Sequence, residues 1–364
     1  MLGAGFILFP MALIAAFRIV IEAIANPEIA NFGTGALIVA LLGAPFLIWR
    51  TVIAQRTANL TDAALFNDKI NAAIADLHAR RQVTHAVERE NGDEILTEWE
   101  DDIVRRAGAI DRLEALARER PGEAPRIAGM LALYVREMSK TDEGAPQEPP
   151  EEPDLRTRMK WVLSLRPARS DMEMATQVLG GIKHIRGVDA QTIQLNLVDA
   201  NLQGFELSSG NFFGAVMTHA RLEGTNLVGA RLLASILDGA RMEGASLRDT
   251  HLHGARLHQT RLEGADLTNV GFDKQTILKG ASFQGAFVRD SDWSQAELSA
   301  AQLSEMFGDA SVVLPASLLP PKHWPTWELP LSGADHEADF HAQWIKWRAD
   351  PANYTPPDPP PDTE

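Results

Sequence analysis

The sequence predicts a mainly β chain: a solenoid of stacked square coils, preceded by two transmembrane helices and a small α-helical domain. Three observations carry this reading. An apolar residue recurs at every fifth position from Leu197 to Ile277, a smaller residue stands two places before most of them, and two long apolar runs precede Arg56.

The five-residue series runs Leu197, Leu202, Leu207, Phe212, Met217, Leu222 and onward to Leu267, Phe272 and Ile277. Its smaller companions include Ala200, Gly210, Ala215, Ala220, Thr225, Ala240 and Ala265. After Ile277 the phase slips by one residue and resumes at Phe283, Val288, Trp293, Leu298 and Leu303. A period of five matches neither the helical repeat of about 3.6 residues nor the strand repeat of about two. It suits a chain that turns a corner every five residues, so that four sides close a coil of about twenty. Such coils stack at the usual strand spacing of about 4.8 Å. Two inward residues share each side of a narrow tube, which leaves room for one large side chain and one small one. A single coil cannot bury its own inner face; stacking supplies the core.

Ala200-Asn201-Leu202, Ala245-Ser246-Leu247 and Ala265-Asp266-Leu267 resemble the A-(D/N)-L-x-x repeat of the pentapeptide-repeat family, and the likeness extends over residues 195–305. The resemblance implies a right-handed quadrilateral β-helix, in a bacterial member anchored to the membrane. Leu195 and Phe205 depart from it by filling small-residue positions. The first coil is therefore expected to be distorted, or covered by what precedes it.

Gly3 to Ala25 is apolar except for Arg18 and Glu22, which at i,i+4 can pair. A second apolar run, Ala36 to Trp49, extends to Thr34–Ile53 if Arg50 snorkels. A spanning helix needs about 20 apolar residues, so residues 1–56 are expected to form a two-helix anchor in the lipid bilayer. A signal peptide and a pair of buried soluble helices are the rival readings, but no basic segment precedes the first run. Arg50 and Arg56 flank the far end, while the short loop holds only Glu28. The positive-inside rule then places the body in the cytoplasm, at a bacterial inner membrane.

Residues 57–140 read as a helical domain. Thr61 or Asp62 can cap a helix carrying Leu65, Ile70, Ile74 and Leu77. Val83 to Glu100 is polar and acidic. A helix from Asp101 stops before Pro121, and Pro125 opens another through Ile127, Leu131 and Val135. These two resemble a HEAT-type hairpin. Residues 141–154 hold six acids and no base among several prolines, and read as a solvated linker. Residues 155–194 provide helices over Leu155–Leu165 and Ser170–Ile182, the second with Ser170 and Glu173 as a capping box, and lead into the first coil. Residues 306–349 should cap the last coil, with a helix from Glu337 to Arg348. Residues 350–364 are Pro- and Asp-rich and expected to be disordered.

The net charge of −15 argues against a general nucleic-acid binder. With no cysteine there is no disulfide framework and no thiol nucleophile. No P-loop, nucleophile elbow or dinucleotide fingerprint occurs, so no enzyme activity, cofactor or catalytic residue is expected. His251, His253 and His258, and separately His336 and His341, lack the spacing or acidic neighbours of a metal site.

The candidate partner-binding residues are Arg221, Glu223, Arg241, Glu243, Arg261 and Glu263. They recur one coil apart and should form one column of Arg and one of Glu, both pointing outward. The alternative is a solvated face of diagonal ion pairs, each worth at most about 1 kcal/mol. Trp324, Trp327, Trp344 and Trp347 could cap the solenoid or bind a partner.

The expected function is a non-catalytic membrane-anchored scaffold presenting a rigid β-helix to an unidentified protein, with homo-oligomerisation left open. The alternatives are a DNA mimic that modulates gyrase and an accessory subunit of a membrane transport or enzyme complex. Mimicry needs a strongly negative rod, whereas Leu197–Leu303 holds seven Asp and five Glu against seven Arg and two Lys. No nucleic-acid partner is expected.

Overall fold

The computed structural model describes residues 2–26, 32–89, 92–151, 154–331 and 339–359. The chain divides into two compact units, Met1–Ala72 and Ala73–Glu364.

The first unit contains helix α1 (Leu2–Ala25) and most of α2 (Phe32–Leu77). Among the described residues no helix is long and apolar enough to cross a membrane. This corrects the expected pair of transmembrane helices, and the bilayer contact read from residues 1–56 loses the support it rested on. The loop expected at 27–31, and many side chains of the two apolar runs, lie outside the described residues. The second run is not a separate helix ending near Arg56. It is the first part of a 46-residue helix. Thr61 caps nothing: its hydroxyl donates to the carbonyl of Thr57 within α2, at 3.0 Å.

The second unit begins with a surprise for the helical reading of 57–140. The polar stretch before Asp102 is an antiparallel ribbon, β1 (Arg80–Arg89) and β2 (Gly92–Asp101), with Arg80 opposite Asp101. Helix α3 (Ile103–Glu119) follows, capped by Asp102 accepting from Arg105 N–H at 3.1 Å. Helix α4 (Ala124–Met138) starts with Pro125 in its first turn, where a missing N–H costs nothing. Both pack on α6 (Ser170–Ile182). Ile110, Leu113, Ile127, Leu131, Val135 and Leu179 are fully buried between them.

One ionic network threads this helical core. Arg169 grips Asp171 with two N–H groups at 2.7 and 3.0 Å, and reaches Asp101 and Glu143 at 2.7 and 2.6 Å. Arg106 adds a 2.5 Å pair to Asp101, and Tyr134 O–H donates to Asp171 at 2.6 Å. Burial pushes the Asp171 carboxyl up, but the Arg169 and Tyr134 hydrogen bonds outweigh it and hold the group below its usual range. Burial and then the Asp171 bond raise the Tyr134 hydroxyl well above its ordinary value.

The coils form as the period of five requires. Leu197, Leu202, Phe212, Met217, Leu222, Leu247, Leu252 and Leu262 are fully buried, with Ala200, Ala215, Ala220 and Ala245 beside them. Each coil pairs in parallel with the next through single residues, as in Asn201–Arg221–Arg241–Arg261–Ser282. A corner every five residues leaves room for one such bridge per side. Among the described residues regular sheet is therefore confined to the β1–β2 ribbon, a correction to the expected mainly β content. At the corners a residue two places after the inward Leu takes positive φ, often Gly but also Asp199, Ser209, His219, Ala234 and Asn269. Where Thr replaces the small Ala its hydroxyl is still satisfied. Thr225, Thr250 and Thr260 donate to Leu202, Leu227 and Leu237 carbonyls one coil below, at 2.7 to 2.8 Å.

The slip in phase lies earlier than the pattern suggested. Leu278 is buried and Ile277 is 44% exposed. The extra residue sits in the corner at Asp273–Thr276, where Thr276 N–H donates to the Asp273 carbonyl at 3.1 Å and the Thr276 hydroxyl to the Asp273 carboxylate at 2.9 Å.

Both ends of the solenoid are closed. In later coils the outward N–H groups donate to the coil below; in the first they meet the helical part. Asn201 N–H goes to Ser139 Oγ (2.9 Å), Glu206 N–H to Glu173 Oε1 (2.8 Å) and Asn211 N–H to the Gly180 carbonyl (2.8 Å). Glu173 thus serves the coil, not the expected capping box, and α6 has no side-chain cap. At the other end the pentads stop after Trp293. Leu298 is only partly buried, and the short helix α7 (Ala300–Ser304) replaces the last expected side. Helix α8 (Phe340–Ala349) then closes the stack: Phe287, Phe307, Leu329, Phe340 and Trp347 form one buried cluster, and Trp344 Nε1–H donates to the Gly285 carbonyl at 2.9 Å. Tyr354, in the segment read as disordered, packs against Phe307. Residues 332–338, including His336 and Glu337, lie outside the described residues.

Candidate functional site

The six ladder residues come together on one side of the coils, as their spacing of one coil requires, but the glutamates do not face solvent and the arginines do so only in part. Glu223 and Glu243 side chains are fully buried and Glu263 is nearly so. The cover is the chain itself. Helix α5 (Leu155–Ser164), capped by Asp154 accepting from Thr157 N–H at 2.6 Å, lies along the same side.

A column of corner glycines admits this helix. Gly204, Gly224, Gly244, Gly264 and Gly285 all have positive φ. A methyl at Gly285 would stand 2.5 Å from Leu155 Cδ2, one at Gly264 would strike Met159, and one at Gly244 would stand 2.6 Å from Val162 Cγ1. At Gly204 it would meet the backbone of Leu165 and Arg166 at 3.2 to 3.3 Å. Leu155, Met159 and Val162 follow the i, i+4, i+7 spacing of one helix face. The face therefore reads as a track of glycines under an apolar stripe, with the carboxylate column sealed beside it.

The segment before α5 closes the lower part. Asn201 Nδ2 donates to the Gly144 carbonyl at 2.9 Å. The Gln203 amide accepts from Gln147 N–H at 2.7 Å and donates to the Gln147 carbonyl at 3.0 Å. Arg221 Nη1 donates to Glu148 at 2.7 Å, and Arg241 Nη1 lies 3.8 Å from the same carboxylate. The solvated linker expected over residues 141–154 is instead docked on the coils at 144–148.

Burial changes the electrostatics. Arg221 Nε holds Glu223 at 2.7 Å, Arg241 Nε holds it at 3.0 Å, and Arg261 Nη2 holds Glu243 at 3.1 Å. Neither Glu243 oxygen has a well-formed hydrogen bond among the described residues. Loss of water, then the charge of Glu223, pushes the Glu243 carboxyl up to about 7 against the pull of Arg261. The Arg221 hydrogen bond at the surface holds Glu148 below its usual range. A column of three carboxylates this close is a charged structural seam, not a solvated pair series.

The remaining candidates stay apart. His251 and His253 rings are 6.2 Å apart, and His258 Nδ1 is 2.9 Å from the Lys279 carbonyl. Among the described residues no group of three His, Cys, Asp or Glu could hold a metal. Trp324 donates to the Met306 carbonyl at 2.8 Å and Trp327 to the Pro357 carbonyl at 3.1 Å, so both belong to the closed end.

A family model for pentapeptide repeats matches residues 196–232 and 235–270, in eight copies. No curated protein matches the chain. Among solved structures the chain is similar to Rfr23, a pentapeptide repeat protein from the cyanobacterium Cyanothece 51142, at 24% identity over 34% of this chain and 60% of that one, with a TM-score of 0.17. It is also similar to HetL of the cyanobacterium Nostoc sp. strain PCC 7120, a pentapeptide repeat protein involved in heterocyst differentiation regulation (20% identity, 37% of this chain and 74% of that one, TM-score 0.18). A third is QnrB1, a plasmid-mediated fluoroquinolone resistance protein (16% identity, 34% and 74%, TM-score 0.22). The chain spans 60% of the length of Rfr23.

Proposed function

The coils of this chain belong to the pentapeptide-repeat family, and from that premise we propose that it is a non-catalytic scaffold whose open coil faces bind a protein partner. The observation that carries this reading is the column arrangement on the three sides α5 leaves free. Asn196, Val216, Ile236, Arg256 and Ile277 line up by parallel bridges on one side, Glu206, Asn226, Ser246 and Asp266 on a second, and Arg231, His251 and Gly271 on a third. The inward residues are fully packed and the backbone groups are taken up between coils. What such a body offers is rows of side chains about 4.8 Å apart on a rigid base. The coil charge is nearly balanced, so the duplex-mimic reading gains nothing from it.

Because the chain has no cysteine, single variants Asn226→Cys, Arg231→Cys and Arg256→Cys can each carry a thiol-linked photo-crosslinker. In extract of the source cell, one of these faces should yield a discrete protein adduct that the other two do not. An adduct formed only from a helical position such as Gly122→Cys would sink the proposal.

A further inference from the structure

The segment 144–148 is held on the coils by groups that recognise a peptide main chain. The Gln203 amide makes both its bonds to the N–H and carbonyl of Gln147, and Arg221 Nη2 donates to the same carbonyl at 3.1 Å. Asn201 reaches the Gly144 carbonyl. Any extended chain presents these same groups. Side-chain selection enters one residue later, where Arg221 and Arg241 converge on the Glu148 carboxylate. Pro146, Pro149 and Pro150 flank the contact and favour an extended backbone.

We propose that this side of the coils is a docking groove for an extended acidic peptide of a partner protein, occupied at rest by residues 144–148 of the same chain. The two guanidinium groups that meet Glu148 fit an acidic side chain at that point of the ligand. The positive column also continues past the resident segment. Arg221, Arg241 and Arg261 side chains are 11, 22 and 36% exposed in turn, and the ion partners of Arg261 among the described residues are Glu243 and Glu263 of the coils. A ligand with a second acid placed toward Arg261 gains a contact that Glu148 does not make. The resident segment is tethered, which gives it an effective concentration on the order of millimolar. A partner must therefore bind tightly or meet a chain whose segment is detached. The groove is separate from the three open faces, so its failure leaves the scaffold reading standing, and the reverse.

The probe is a fluorescent synthetic peptide with the sequence of residues 144–151, titrated against the full chain by anisotropy. Glu148 is 65% exposed, so Glu148→Arg should leave the coils intact while setting like charges against Arg221 and Arg241. The peptide should bind Glu148→Arg at least tenfold more tightly than the parent chain, weaken as salt rises, and lose binding when Arg221→Glu is added. Equal affinity for parent and variant, or binding that survives Arg221→Glu, overturns the proposal. Should Glu148→Arg fail to fold, the parent chain decides: excess peptide must speed hydrogen exchange at the Gln147 amide, and an unchanged rate overturns it. Dimerisation of Glu148→Arg that is blocked by the peptide would make a second copy the occupant and overturn the partner reading.

Discussion

Arg241 lies closer to Glu223, one coil away, than to Glu243 of its own coil: its Nε is 3.0 Å from Glu223 Oε1 and 3.5 Å from Glu243 Oε1. Arg261 repeats the relation one coil on, at 3.1 Å from Glu243 and 3.4 Å from Glu263. Each arginine thus joins two coils, and Glu223 and Glu243 each depend on two guanidinium groups.

Removal of the middle cation should be costly. Arg241→Ala leaves two buried carboxylates under-compensated, and a broken buried pair costs about 3 kcal/mol. Arg231→Ala, on an open face, should stay within about 0.5 kcal/mol. Denaturant melts of the two variants check this, and equal midpoints would mean the ladder is solvated after all.

The sign of the pH dependence follows from Glu243. Its folded carboxyl is raised to about 7 from an ordinary value near 4.5. The stability it contributes is fully present below 4.5 and is lost as pH rises through about 7. At roughly 1.4 kcal/mol per unit the change is on the order of 3 kcal/mol. Glu243→Gln should flatten this part of the stability profile and raise the melting temperature most above pH 7. Parallel melts from pH 5 to 8 decide the matter.

Corner residues should respond in opposite ways on covered and open sides. Ala234 holds φ 53° on an open side, where a Cβ is strained. Ala234→Gly should stabilise by up to about 1 kcal/mol, tempered by glycine's unfolded-state entropy. Gly244→Ala adds a methyl against Val162 at φ 61° and should cost about 2 kcal/mol. Calorimetry on the pair tests whether α5 really packs on the glycine track.

The hydroxyl of Tyr134 completes the Asp171 site in the helical core. Tyr134→Phe should cost about 2 kcal/mol, as expected for a buried hydrogen bond to a charged group. Its effect should shrink at acid pH as Asp171 takes a proton, which pH-dependent melts would reveal.

The coil was legible because its period is written in large residues, and Leu247 and Ala245 lie where the spacing puts them. The slip was harder. Ile277 and Leu278 are both apolar, so the pattern runs on through the extra residue near Asp273 and hides it. The ladder was legible as a column but not as a covered one, since five-residue spacing says nothing of what packs outside. One signal was present: of the four corner columns, only that of Gly204, Gly224, Gly244, Gly264 and Gly285 is glycine in every coil. The ribbon was also signalled, by β-branched and aromatic residues alternating at Val83 and Val87 and at Ile95, Thr97 and Trp99, on either side of the turn-favouring pair Asn91-Gly92. Acidic composition masked that period. The second N-terminal run misled for another reason: residue counts alone cannot separate a spanning helix from the start of a long one.

Helix α5 also acts as a gauge. From Leu155, beside Gly285, to Val162, beside Gly244, it advances about 10 Å at 1.5 Å per residue, against two coil steps of about 4.8 Å. Inserting one coil into that interval would demand about three more helical residues. The coil count beneath α5 and the length of α5 are thus coupled, and growth of the stack by duplication is restricted to the part the helix does not measure.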